Sequence, residues 1–248
     1  MQITDSLVPL TGVPVYSTWN DFISPPVPFI NTKVYPLELI ILFMIGSFLW
    51  VIAYAIIIRN IHKHKIVEMP TVVGCGNFAW EILWSVYFIP NMGLLCLWGY
   101  RAWMILDIYI FGAVLWYGVR EVKNELIRQW FRPMVIFGLL AWAVVFFFFT
   151  TEDFDTPLGA NSAYILNLVI SLLYPFRILR KQSIVGFSYS VAWLKMLGTG
   201  LISVFMVIYY PENHTLHTLA ALILIADIAY IVVFHWRRTH RISAPVVA

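Results

Sequence analysis

The sequence predicts an all-α membrane protein with seven transmembrane helices, its N-terminus outside and its C-terminus cytoplasmic. Three observations predict it. Of 248 residues, 61% are hydrophobic and only 12% charged, and the mean hydropathy is +0.81, values that a soluble domain cannot carry without exposing a large apolar surface. Apolar stretches recur at about the 20 residues needed to cross a hydrocarbon core of roughly 30 Å. The cationic residues gather on one side of those stretches, as membrane insertion requires.

Taken in order, the spans run approximately 37–58, 69–89, 97–119, 133–150, 160–178, 188–210 and 217–235. Residues 1–36 precede them as an extracytoplasmic arm. This arm lacks a basic leader region and is interrupted by Pro9, Pro14, Pro25, Pro26 and Pro28, which is wrong for a cleaved signal peptide. Its Tyr16, Trp19, Phe22 and Phe29 suit either an interfacial segment or a cap on the bundle. Arg59, Lys63 and Lys65 follow the first span, and Arg120, Lys123, Arg128 and Arg132 the third. Arg177, Arg180 and Lys181 follow the fifth, and Arg237, Arg238 and Arg241 open a basic cytoplasmic tail, residues 236–248. That puts thirteen of the sixteen Lys and Arg on one side, which sets the orientation. The net charge of +3 sits in loops and tail and implies no nucleic-acid partner. Cys75 and Cys96 flank the second span at opposite ends and suggest neither a disulfide nor a metal set. Asn213-His214-Thr215 matches a glycosylation sequon on an outer loop, but one tight to the membrane.

Laid on itself at an offset of 118–120, the chain repeats. Arg59, Lys63, Ile66 and Val67 fall on Arg177, Lys181, Ile184 and Val185, and Asp107-Ile108 falls on Asp227-Ile228. The first three helices thus resemble the last three, with the fourth as linker, a parallel 3+1+3 repeat of the kind transporters use.

The residue to explain is Glu81, midway through the second span. A charge there costs roughly 2.5–3.5 kcal/mol on insertion scales, which makes an intramembrane acid a functional-site candidate. At about 1.5 Å of rise per residue, Glu81 lies about 18 Å into its helix, and Asp107 and Asp227 about 15 Å into theirs from the other face. All three carboxyls are therefore expected in one layer, where like charges in low dielectric cannot all ionise and at least one stays a proton-donating acid. Helical spacing places Glu81 with Asn77, Trp84 and Phe88, Asp107 with Tyr100, Trp103 and Phe111, and Asp227 with Tyr230 and Phe234. The fifth span adds Tyr164, Asn167, Ser171 and Tyr174. An aromatic chamber of this kind suits a carbocation, because ring faces attract cations and offer no nucleophile. Asp107 has a structural reading too, bonded to a neighbouring Trp or to Arg101. Lys195 either snorkels to the membrane face or pairs with a buried carboxylate. Asn167 fits helix-to-helix hydrogen bonding as well as substrate contact.

At these residues the chain resembles the integral-membrane terpene cyclases of fungal meroterpenoid and indole-diterpene pathways and their bacterial relatives. Glu68-Met69-Pro70, Cys75 through Asn77-Phe78-Ala79-Trp80-Glu81, Trp103 through Leu106-Asp107, Gly118 and Glu121 carry the likeness. Asn167-Leu168, Gln182-Ser183, Lys195, Gly198-Thr199 and Asp227 extend it over residues 37–235, and residues 120–160 contribute little. The resemblance implies proton-initiated cyclisation of a polyprenyl or epoxy-polyprenyl substrate, with Glu81 and Asp227 as the essential acids. On that reading Glu81 is the general acid, Asn77 orients it, and Asp107 supports it or relays protons. Trp80, Trp84, Trp103, Tyr164, Asn167, Lys195 and Tyr230 then orient or bind substrate. No cofactor and no metal is expected, since an Asp-rich magnesium motif is missing. The expected partners are a lipophilic prenylated small molecule and the bilayer, with a prenyltransferase and an epoxidase as pathway neighbours.

A rival reading is a small-solute or proton-coupled transporter, because Lys181 through Ser188 is similar to a loop of the SWEET and PQ-loop carriers. Against it, the Pro-Gln pair of those proteins is missing from both repeats, and Glu81 falls opposite Thr199, an asymmetry more natural in a reaction site than in a gate. A retinal protein is excluded by the lack of lysine in the seventh span.

Overall fold

The computed structural model describes residues 13–16, 18–181 and 183–240. Pro9, Gln182 and Arg241, with parts of the expected arm and tail, lie outside the described residues. Among the described residues the regular secondary structure is helical, apart from one isolated bridge between Val15 and Phe88. The helices are α1 (Trp19–Ile23), α2 (Leu37–His64), α3 (Thr71–Ile82), α4 (Leu94–Tyr117), α5 (Glu125–Thr151), α6 (Ala160–Arg180), α7 (Tyr189–Tyr209) and α8 (His214–Thr239). Six of them, α2 and α4 to α8, are long and apolar enough to cross a membrane.

The helix ends follow from local chemistry. Pro36 and Pro70 stand just before α2 and α3, where a missing N–H costs nothing. Asn124, Ser188 and Asn213 cap α5, α7 and α8 by accepting from the N–H groups of Ile127, Val191 and Leu216. Asn213, the sequon asparagine, also donates its amide to Asn161 Oδ1 at 2.9 Å. The last turn of α2 carries His62, Lys63 and His64, which favour the negative end of the helix dipole, and Lys65 closes it at φ 55°.

The element carrying Glu81 departs from the expected 69–89 span. It is α-helical for 12 residues, and Leu83–Tyr87 then continues as a single π turn in which Phe88 N–H bonds Leu83 O at 2.8 Å. Phe88 is extended, and Pro90 follows two residues later. Such widened turns are concentrated at functional sites.

Packing is organised in two triplets. In the first, α4 packs on both α2 and α3, and in the second, α8 packs on both α6 and α7. The triplets join where α2 lies along α7 and α3 meets α6. Helix α5 packs mainly on α3 and turns Phe137, Leu140, Val144 and Phe148 outward, as a lipid-facing helix does. The α2/α7 seam depends on two glycines. A Cβ on Gly46 would come within 2.7 Å of Gly198 O, and one on Gly198 within 2.9 Å of Gly46 O and of the Trp50 ring. Small residues let backbones approach in this way where no hydrophobic force drives helices together.

The described part of the arm caps one end of the bundle. Ile89 N–H donates to Pro14 O at 2.8 Å and Tyr16 N–H to Tyr87 O at 3.3 Å, which ties the arm to the π turn. Arg101, buried on α4, pins it from below by donating to Phe22 O at 2.8 Å and to the Tyr16 hydroxyl at 3.2 Å, with the Phe22 ring 4.3 Å away. Arg101 is thus spent on the arm and does not bond Asp107. At the opposite end, Glu121 bridges Arg177 at 2.9 Å and Lys181 at 2.8 Å, so the basic loops of both triplets meet there.

The glycine seam can be tested by contrast. Gly198→Val should lower thermal stability in detergent by about 1–3 kcal/mol of overpacking. Gly200→Val, where an added Cβ meets nothing within 4 Å, should leave the melting temperature near that of wild type. Equal melting temperatures for the two variants would mean that α2 and α7 do not approach this closely.

Candidate active site

Glu81 is 3% exposed and faces a cavity of about 120 Å³ between α2, α3, α4, α6 and α7. Its Oε1 accepts from the Tyr54 hydroxyl at 3.1 Å, and that hydroxyl accepts from Asn77 Nδ2 at 2.8 Å. Asn77 and Glu81 are one helical turn apart on the same face of α3. The amide therefore orients the carboxyl through the Tyr54 phenol of α2 rather than directly. Tyr54 and Trp50, both lining the cavity from α2, are residues that the sequence reading missed. A signal for Tyr54 was available, because it is the sole tyrosine in the 28-residue helix α2.

Asp107, fully buried on α4, lies against Glu81. Neither of its oxygens receives a hydrogen bond from a hydroxyl, an amide or a cation, and Glu81 Oε2 receives none either. Among the described residues no Lys, Arg or His forms an ion pair with these two acids.

Asp227 is not part of this group. The expected single layer of three carboxyls is resolved into two centres. Asp227 accepts both of its bonds from Lys195 Nζ, at 2.6 and 2.9 Å, and Lys195 also donates to Ser171 Oγ at 2.6 Å. Both partners are buried, so Lys195 does not snorkel to a membrane face. The physical reason is reach: Lys195 and Asp227 lie on α7 and α8, which pack together, and a buried ammonium without a carboxylate is far costlier than a paired one. The pair sits behind the chamber wall, with Lys195 Nζ 5.8 Å from the Trp50 ring.

The walls of the cavity are aromatic. Trp80 and Trp103 line it, with Tyr100 in contact with both at ring separations of 5.1 and 5.7 Å. Trp84 stacks behind Trp80 at 5.9 Å and does not line the cavity. On the far wall, Trp50 Nε1 and Asn167 Nδ2 both donate to Thr199 Oγ1, at 3.2 and 3.0 Å, and Tyr164 bonds Ser203 at 2.8 Å. Asn167 is therefore at once a bond between helices and part of the lining. Tyr230 lies away from the cavity, its hydroxyl directed at Glu68. Of the expected site residues, Asn77, Trp80, Glu81, Trp103, Tyr164 and Asn167 meet around one space.

The family of Pyr4-like transmembrane terpene cyclases matches residues 21–240. The chain belongs to that family. Its relatives include the Pyr4-family terpene cyclase mfmH of Annulohypoxylon moriforme, 24% identical over 188 residues, which are 73% of this chain and 77% of that protein. Terpene cyclase macJ of Penicillium terrestre is 24% identical over 73% of this chain and 69% of its own. Terpene cyclase ascF of Acremonium egyptiacum is 26% identical over 40% and 36% of the two chains. No solved structure matches. As a member of the Pyr4-like family, the protein is an integral, multi-pass membrane enzyme of terpenoid biosynthesis, and the transporter reading is not favoured.

The wall of the cavity is held in turn by the loop before α6. Trp80 Nε1 donates to Ser162 Oγ at 2.9 Å, and Ser162 donates to Asp155 Oδ2. Asp155 also accepts from the N–H groups of Thr156 and Asn161, both at 2.8 Å. Gly159 at φ 71° lets this loop pass against the tryptophans, since a Cβ there would clash with the Trp84 ring. Burial pushes the Asp155 carboxyl up to about 6, against the lowering effect of Ser162 and the backbone N–H groups. The folded state thus binds this proton more tightly than the unfolded state, and ionisation disfavours folding. The Asp155 contribution should be largest below pH 4, decline as pH rises from about 4 to 6, and be flat above. Thermal unfolding across pH 4–7 should show this decline in wild type and a flatter curve in Asp155→Asn; parallel curves would refute the assignment.

Proposed function

We propose that the protein cyclises a prenylated, lipophilic substrate by protonation, with Glu81 as the general acid. The observation that carries the reading is an acid facing an aromatic cavity with no cation paired to it and a second carboxyl, Asp107, beside it. Two adjacent carboxyls in a low-dielectric site do not both ionise, and one shared proton is what such a pair can offer. Opening an epoxide, or protonating an alkene, requires a carboxylic acid that keeps its proton until substrate arrives. The Tyr54 hydroxyl holds Oε1 and leaves Oε2 as the oxygen without a fixed donor.

Trp80, Trp103 and Trp50 then face the positive charge that forms as the chain folds. Ring faces stabilise desolvated cations by about 2 kcal/mol or more without adding to them. Thr199, a hydroxyl that would otherwise trap a cation, has Trp50 and Asn167 donating to its oxygen. The cavity of about 120 Å³ is close to the size of one that holds a benzene ring, roughly 150 Å³. Such a space takes the reactive end of a prenyl chain rather than its whole length.

In this reading α3 with its π turn is the seventh membrane element, short because it carries the site, and the arm end faces outward by the charge rule. The matching packing of the two triplets supports a 3+1+3 repeat. Asp227, balanced by Lys195, maintains the far wall, and protonation needs no metal.

Membranes containing the protein, incubated with epoxyfarnesyl and epoxygeranylgeranyl aromatic compounds, should yield cyclic products of unchanged mass by chromatography and mass spectrometry. Glu81→Gln should lower the rate by about 10²-fold or more, the scale of general acid catalysis. Tyr54→Phe, which frees both Oε1 and the Asn77 amide, should cost on the order of tenfold while Glu81 remains. Wild-type turnover by Glu81→Gln would show that the proton comes from elsewhere.

A further inference from the structure

A second space lies against the cavity of Glu81, and the chemistry described so far makes no use of it. Between α7 and α8 runs a mostly apolar groove of about 350 Å³. It lies in the half of the bundle nearer the arm, where the Tyr209 hydroxyl at the end of α7 donates to Val34 O. Val204, Val207, Ile208 and Leu224 line it and are 45–57% exposed, so in a membrane the groove opens toward lipid. Its floor has room, because an added Cβ on Gly200 would meet nothing within 4 Å.

Thr199 lines this groove and the cavity of Glu81 at once. What separates the two spaces is a seam of side chains. Helices α6 and α7 each pack on α8 rather than closely on one another. Three side-chain hydrogen bonds cross between them among the described residues: Lys195 with Ser171 at 2.6 Å, Asn167 with Thr199 at 3.0 Å, and Tyr164 with Ser203 at 2.8 Å. The α6 numbers fall by three or four as the α7 numbers rise by four, so the bonds stand about one turn apart like rungs. The first rung is charged, since Lys195 also holds Asp227. The other two join neutral groups, and neutral hydrogen bonds are about half as strong as charged ones. Tyr164 faces the cavity and Ser203 the groove, so their bond is the bar between the two.

We propose that the α7/α8 groove takes the prenylated substrate from the bilayer and holds its hydrocarbon chain, while the reactive end passes between α6 and α7 to Glu81 as the Tyr164–Ser203 and Asn167–Thr199 bonds part. The proposal rests on the reading of the protein as a cyclase of prenylated, lipophilic substrates. The cavity beside Glu81 admits the reactive end of such a chain, and the remainder needs apolar room that joins it. Parting the two neutral rungs turns cavity and groove into one space, with Thr199 at the junction. A long prenyl chain already resides in the bilayer, and an entrance facing lipid spares it the cost of exposing apolar surface to water. The charged rung at Lys195 keeps α6, α7 and α8 together while the neutral rungs open.

The test uses the full chain in proteoliposomes. One sample is irradiated with a farnesyl aryl ether whose ring carries a diazirine, a probe without an epoxide, and another with a phosphatidylcholine carrying a diazirine in its acyl chain. The prenyl probe should label residues 196–208 and 217–227, which form the groove, and farnesyl phenyl ether should compete with it. Gly200→Leu, which fills the groove, should lower this labelling by about tenfold. Gly112→Leu, at an exposed position of α4 where a Cβ also meets nothing within 4 Å, should leave it unchanged. Prenyl labelling indifferent to Gly200→Leu, or phosphatidylcholine labelling of the same residues that farnesyl phenyl ether does not displace, would mean that ordinary bilayer lipid fills the groove, and would refute the proposal. With an epoxygeranylgeranyl aromatic substrate, Gly200→Leu should raise KM by about tenfold and hold kcat within about twofold. Ser203→Ala, which removes the bar, should raise kcat/KM by about twofold or more. An unchanged KM in Gly200→Leu would overturn the holding site, and an unchanged or lowered kcat/KM in Ser203→Ala would overturn the passage between α6 and α7. If the prenyl probe labels the groove and wild type still forms no cyclic product, the cyclisation reading fails while the prenyl site stands.

Discussion

A carboxyl inside a hydrocarbon layer must be satisfied by what the helices bring to it, and this bundle satisfies its acids in two different ways. Asp227 receives an ammonium, and Lys195 in turn receives Asp227 and Ser171, so the second triplet closes on a neutral unit. Glu81 receives one phenol and another acid. A paired charge is structural, whereas an acid with only a phenol and a second acid has its proton available. Everything that brings Tyr54 to Glu81 therefore bears on reactivity.

That approach begins at the Gly46/Gly198 seam. With no side chain on either residue, α2 and α7 come close enough for the Trp50 ring to pass over Gly198 and reach Thr199. Tyr54, one turn further along α2, packs edge-on against Trp50 at 6.0 Å and reaches across to α3. Wall, acid and orienting phenol are thus set by one close contact between backbones. A widened seam would move the phenol before it disturbed the core.

Much of this was legible in the sequence. Helix ends follow prolines, capping residues and basic loops, which are local signals, and the match is within four residues at both ends for α4, α6, α7 and α8 and at the start of α2. Glu81 and its aromatic surroundings followed from cost and helical spacing. What escaped was the partnering of buried groups across helices. Depth along a helix, about 1.5 Å per residue, put Asp227 level with Glu81, but it carried no information on rotation about the helix axis. Rotation decides that Asp227 meets Lys195 and that Asp107 meets Glu81. The π turn was hidden for a similar reason, since Leu83–Tyr87 reads as apolar helix and its ties to the arm, from Tyr87 to Tyr16 and from Phe88 to Val15, are contacts between distant parts of the chain.

The proposed internal repeat bears on the direction of the proposed reaction. At an offset of 118, Glu81 corresponds to Thr199, and both line the same cavity from opposite triplets. One position carries a carboxyl. The other is a hydroxyl oxygen already receiving two hydrogen bonds, from Trp50 and Asn167. A pair of acids at these positions would confront a cation with a base on both sides, and either could end the reaction early by removing a proton. Under the proposed mechanism, an engaged hydroxyl in place of one acid keeps protonation on one wall and leaves the charge to migrate toward rings. Asymmetry between matching positions, rather than the acid alone, is what makes a symmetric bundle suited to a reaction that must run in one direction.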